Sequence, residues 1–169
     1  MVSVIKSLFV SLAYHPDIPH IFQRQTRVLK EMKLRGLFMA MTMVKLKEQR
    51  LSFCIAGMPP LYIYRAATNK VEEIFIKALP LGGIANYQYQ QEERELASGD
   101  VVVMMSDGLP ERFNAANEMY DYENVRALLA SVGNLAPQEM IDRLVNAGDE
   151  WAGNRAQDDD VTFVVLRMR

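Results

Sequence analysis

At 169 residues the chain has the length of one domain rather than two. Its composition, 50% hydrophobic and 24% charged with 9 Gly and 7 Pro, excludes a disordered, collagen-like or disulfide-stapled protein. The formal net charge of -2 conceals an asymmetry: residues 1–50 carry nine Lys/Arg against three acids, and residues 51–169 carry ten against eighteen.

No apolar run approaches the roughly 20 residues of a membrane-spanning helix. The best candidate, residues 1–13, is broken by Ser3, Lys6, Ser7 and Ser11 and lacks the basic start and small-residue cleavage site of a signal peptide. Cys54 is the only cysteine and lies in an apolar stretch, which predicts a buried free thiol and a reducing, cytoplasmic setting. A parent protein anchored upstream in a membrane is compatible with that reading.

Apolar residues at Val4, Ile5, Leu8, Phe9 and Leu12 recur at helical spacing and predict a short amphipathic helix over 4–13. The segment from Tyr14 to Pro19 breaks it, and Ile21, Phe22, Val28, Leu29 and Met32 mark a second helix that ends before Gly36. His15 and His20 are assigned to the connector, without an accompanying acid or thiol cluster that would make them metal ligands. Arg24, Arg27, Lys30, Lys33 and Arg35 are spaced as a solvated helix face; no aromatics interleave with them, so nucleic-acid binding is not expected.

Beyond Gly36 short runs of strand formers follow: 39–46, 51–56, 61–65, 71–78, 87–96 and 101–105. Turn residues separate them, and consecutive strands imply antiparallel sheet. A loop over 108–121 leads to helices over 122–131 and 137–151, the second with an apolar stripe of Met140, Ile141, Leu144, Val145 and Trp151. A last strand over 161–166 follows three consecutive aspartates.

Two acidic sites sit at the edges of buried-type strands. One is Asp107, delivered by the run Val101–Met105 and followed by Gly108; the other is Asp158-Asp159-Asp160, which runs into Val161–Leu166. If these strands lie side by side, carboxylates from both meet at one end of a sheet, and hard oxygen ligands suit Mg²⁺ or Mn²⁺. On spacing alone, a plain Ser-Asp-Gly turn and a solvated acidic loop account for the same residues.

The chain as a whole resembles a family. Ala56-Gly57-Met58-Pro59-Pro60 with Tyr64-Arg65, then Leu79-Pro80-Leu81-Gly82, Leu96 with Gly99-Asp100, Ser106-Asp107-Gly108-Leu109-Pro110-Glu111, and Asp158-Asp159-Asp160-Val161-Thr162 occur in the order found in stage II sporulation protein E type protein serine/threonine phosphatases. These are metal-dependent bacterial relatives of the protein phosphatase type 2C fold. The resemblance spans the C-terminal two thirds of such a domain. It implies an α+β fold, an α-β-β-α sandwich of antiparallel sheets with flanking helices, N-terminally incomplete. Residues 1–169 would be a single partial phosphatase domain, with a helical pair over 1–35 and the sheets, loop, helices and final strand over 36–169.

The implied activity is hydrolysis of phosphoserine or phosphothreonine on a regulatory protein of the anti-sigma-factor antagonist type, in a partner-switching pathway. Two Mn²⁺ or Mg²⁺ ions would serve the complete domain. Residue by residue, the resemblance makes Asp107 and Asp159 the catalytic metal ligands, with Asp158 and Gly108 ranking after them. Leu8, Phe9 and Leu12 fall on a helix that in such proteins links upstream sensory domains to the metal site.

The departures are a missing Gly-Asp-(Tyr/Phe)-(Tyr/Phe)-Asp strand and a missing Asp-Val-Ser-Gly-His-Gly motif, so the metal set is expected to be short and this chain inactive or weakly active. Met58 also replaces a frequent histidine. Loss of those strands would expose sheet edges and favour a homodimer. A non-catalytic, phosphatase-like interaction module is the alternative reading.

Overall fold

The computed structural model describes residues 2–32, 36 and 38–169. In chain order these form α1 (Val2–Leu12), α2 (Ile18–Glu31), β1 (Met41–Lys47), β2 (Arg50–Ala56), β3 (Leu61–Arg65), β4 (Lys70–Ile74), β5 (Glu92–Glu95), β6 (Val101–Met105), α3 (Asp121–Val132), α4 (Pro137–Ala152) and β7 (Phe163–Arg167). They fall into two compact units, Met1–Met58 with Ile76–Glu95, and Pro59–Phe75 with Leu96–Arg169. Among the described residues no helix is long and apolar enough to cross a membrane.

The first unit contains α1, α2 and an antiparallel sheet of order β1-β2-β5. Strands β1 and β2 pair from Met41↔Ala56 to Lys47↔Arg50, closed by the two-residue turn Glu48-Gln49, with Glu48 at φ 55°. Helix α2 turns Ile18, Ile21, Phe22, Gln25, Thr26 and Leu29 inward at helical spacing, while Arg24, Arg27 and Lys30 are exposed as expected. Lys33 and Arg35 lie outside the described residues. The core joins Ile5, Ile18, Ile21, Phe22 and Leu29 to Met43, Cys54, Ala56, Leu81 and Tyr89. Leu8 and Leu12 pack against that cluster, whereas Phe9, read in the sequence as part of the same stripe, is 41% exposed.

His20 is not in the connector: it belongs to the first turn of α2, because Pro19 occupies an opening helical position instead of breaking the helix. Its ring stacks on His15 with centroids 4.2 Å apart. Asp17 does not cap α2 with its side chain; the Gln91 Oε1 accepts the Ile18 N–H at 3.2 Å instead. Cys54 is buried, and burial pushes its thiol up to about 12, so it stays protonated and unreactive.

The second unit is an antiparallel sheet of order β4-β3-β6-β7 with α3 and α4. Tyr62 and Tyr64 of β3 and Val101, Val103 and Met105 of β6 form a core with Val125, Leu129, Val132, Met140 and Leu144 of the helices. The observed β4 and β5 are shorter than the runs 71–78 and 87–96. Strand length here follows the partner: β4 ends where Ile74 meets Leu61, the first residue of β3, and β5 pairs only with Arg50–Phe53 of β2.

A buried ion pair ties the start of β6 to the end of β3. Asp100 is 2% exposed; its carboxylate accepts the Ala66 N–H at 3.0 Å, the Ala97 N–H at 3.1 Å and the Arg65 Nη1 at 2.9 Å. Gly99 precedes it at φ +88°, a conformation that favours glycine. Burial pulls the Asp100 carboxyl up, but the two N–H donors and the guanidinium outweigh it and hold the group below its ordinary value. Its stabilisation is therefore complete above the unfolded-state value of about 3.9 and is lost as pH falls through the depressed folded value. Asp100→Ala is expected to cost about 3 kcal/mol at pH 7. Urea midpoints of both proteins should show that difference shrinking below about pH 4.

Candidate functional site

Strands β6 and β7 pair from Val101↔Arg167 to Met105↔Phe163, and the pairing continues past both strand ends. The Ser106 N–H donates to the Thr162 carbonyl at 3.0 Å. The Ser106 hydroxyl donates to the Asp160 carbonyl at 2.8 Å and accepts the Thr162 N–H at 2.9 Å. One serine thus staples the chain leaving β6 to the chain entering β7.

Gly108 completes the closure, because a Cβ built on it would stand 2.4 Å from the Asp160 carbonyl oxygen. Only glycine allows the two backbones to approach so closely. Asp107 lies between the staple and this contact, half-buried, in a turn closed by the Glu111 N–H donating to its carbonyl at 2.9 Å.

Asp159 is exposed in the bend before β7. Its Oδ1 accepts the Asp160 N–H at 2.7 Å, and its carbonyl accepts the Gln157 Nε2 at 2.7 Å. Asp107 and Asp159 therefore stand on neighbouring ends of paired strands. Asp158 is engaged differently, its carboxylate pairing with Arg155 Nε at 3.3 Å. Among the described residues no three His, Cys, Asp or Glu side chains are grouped as a metal cage. The donor chemistry of Asp107 and Asp159 suits a hard cation, but their number does not complete a site.

Sequence reasoning passed over three neighbours. Ser106 stood inside the quoted motif, yet nothing in its type announces two backbone contacts across strands. Tyr122 lies within electrostatic reach of Asp107: burial first, then the Glu111, Asp107 and Glu73 carboxylates, raise its phenol, which stays neutral at ordinary pH. Arg112 is 8% exposed in the loop after Asp107, where a basic residue ordinarily faces solvent.

The family description "Stage II sporulation protein E (SpoIIE)" matches residues 1–169. The chain belongs to the SpoIIE family. Its relatives are serine/threonine phosphatases of the PP2C type, and the chain corresponds to the C-terminal part of their phosphatase domain. It is 24% identical over 172 residues to the phosphoserine phosphatase RsbU of Bacillus subtilis, covering 99% of this chain and 50% of that protein.

Among solved structures, the SiaA-PP2C domain of Pseudomonas aeruginosa aligns with a TM-score of 0.84 at 17% identity, over 99% of this chain and 67% of that one. The PP2C phosphatase domain of SpoIIE from Bacillus subtilis, with a fragment of its regulatory domain, aligns with a TM-score of 0.77 at 21% identity, over 99% and 48%. The α+β, PP2C-like fold class is thereby that of this SpoIIE-family chain, which spans half the length of RsbU.

Gly108→Ala should force the two backbones apart and cost about 1–3 kcal/mol, as overpacking does. Amide chemical shifts of Ser106, Asp160 and Thr162 should move together. Unchanged stability and shifts would show that the contact is not a constraint.

Proposed function

We propose that this chain forms part of a metal-dependent protein serine/threonine phosphatase acting on phosphoserine or phosphothreonine of a bacterial regulatory protein of the anti-sigma-factor antagonist type. The observation that carries the reading is the extended β6–β7 pairing, which supports Asp107 and Asp159 as neighbouring ligands of Mn²⁺ or Mg²⁺. Gly108 and Asp158 are the secondary members of the assigned set. Ser106 and Gly108 hold the Asp107 backbone against the strand opposite, and Tyr122, within electrostatic reach of it, stays neutral. In the same reading, α1 with Leu8, Phe9 and Leu12 relays signals from sensory domains, and two copies of the chain associate.

One observation favours the other reading, a non-catalytic interaction module: the described residues offer no third ligand at this place. A phosphoserine peptide and Mn²⁺ separate the two. The phosphatase reading expects Mn²⁺ to broaden the NMR amide signals of residues 106–109 and 157–162 first, an effect lost in Asp107→Asn. It also expects phosphate release at least about a hundredfold below the roughly 10 s⁻¹ median of enzymes, because the ligand set of this chain is short. Peptide binding with neither localised broadening nor Mn²⁺-dependent release would establish the interaction module. Fast release abolished by Asp107→Asn would show that the chain completes its own site.

A further inference from the structure

The turn that carries Asp107 also forms one wall of a separate cavity in the second unit. Its volume is about 210 Å³, room for several water-sized groups. Its sides are mainly apolar: Leu109, Leu144, Val145, Gly148 and Val161. Arg112, Asp149 and Gln157 are its polar lining residues, and the Arg112 side chain is 9% exposed. A guanidinium buried to this degree needs its donors matched, since an incompletely paired charge in a low-dielectric setting is costly.

Arg112 is poorly matched. Its Nε–H is buried with no hydrogen-bond partner among the described residues. Its one ion pair among the described residues, Nη2 to the Asp149 Oδ1, is 3.4 Å long, well beyond the 2.7–2.9 Å of a strong charge-assisted bond. Asp149 also lines the cavity, but its side chain is 65% exposed, so water competes with Arg112 for its carboxylate. The pocket therefore combines apolar walls with a fixed, under-used fork of donors.

We propose that this cavity receives an acidic side chain, glutamate or aspartate, of a protein partner, whose carboxylate pairs with Arg112 while its methylene stem lies against Leu109, Leu144 and Val161. A bare inorganic anion suits the pocket less, because its whole surface would be desolvated against apolar walls. The cavity adjoins the candidate site on both sides. Gly108 is in its wall, and so is Gln157, whose amide holds the Asp159 carbonyl. An acidic residue seated here would thus lie close to the point where the phosphoserine is expected. The inference rests on the phosphatase reading for the identity of the partner, but not for the chemistry of the pocket.

The test uses the 169-residue chain and octapeptides in which one glutamate is moved through the positions flanking a phosphoserine or a serine, each paired with its glutamine counterpart. In at least one register the glutamate peptide should bind about tenfold more tightly, the value of one charge-assisted pairing, and should shift the Arg112 Nε–H NMR signal. Asp149→Asn, at an exposed position that leaves the core intact, should raise that affinity by about threefold by removing the competing carboxylate. Arg112→Leu should abolish the preference.

Equal binding of glutamate and glutamine peptides with an unmoved Arg112 signal would overturn the proposal. So would an unchanged or weakened affinity in Asp149→Asn, or an equal response to inorganic phosphate, which would mark the pocket as a phosphate site. A glutamate preference shared by the serine and phosphoserine peptides, without Mn²⁺-dependent release, would sustain the pocket and remove the phosphatase reading.

Discussion

The second unit depends on the antiparallel pairing of β6 with β7 continuing after both strands have ended. A ladder that stopped at Met105↔Phe163 would leave the residues after β6 and before β7 free to splay. Ser106 prevents this by making three hydrogen bonds across the gap. Gly108 then lets the turn lie on the Asp160 carbonyl. The result sets Asp107, just after β6, and Asp159, just before β7, at the same end of a strand pair.

The same strand explains why the arrangement is rigid. β6 is buried along nearly its whole length, with Val101, Val103 and Met105 in the core under α3 and α4. Its start is held by Asp100, whose carboxylate is matched by two backbone N–H groups and a guanidinium. A strand anchored by a buried ion pair at one end and by a serine staple at the other has little freedom to slide. A shift of one residue would also turn Val102 and Met104 onto the helix-covered face.

Much of this was legible in the sequence, for reasons that differ from element to element. β3 and β6 were found with their observed bounds because each is a short apolar run with turn residues at its ends. β4 and β5 were drawn too long, since their composition continues beyond the partner that pairs with them, and partner length is not a local property. His20 was misplaced because Pro19 reads as a breaker, yet proline also opens helices. Asp107 and Asp159 stand out as charges at the edges of apolar strands, and those two strands, β6 and β7, do pair. The staple by Ser106 and the burial of Arg112 left no periodic trace, since both depend on residues more than thirty positions away.

Two buried charged residues in this unit show how a structural charge differs from one available for binding. Asp100 is 2% exposed and carries three hydrogen bonds at 2.9–3.1 Å from backbone and guanidinium donors; its charge is matched within the chain. Arg112 is almost as deeply placed, but among the described residues it has one long contact, to a largely exposed carboxylate, and a buried Nε–H with no acceptor. Desolvation has already been incurred at both residues, but only at Asp100 is it offset within the chain. At Arg112 the offset is left for something else to supply, and the cavity beside it sets the size and the largely apolar character of what can do so.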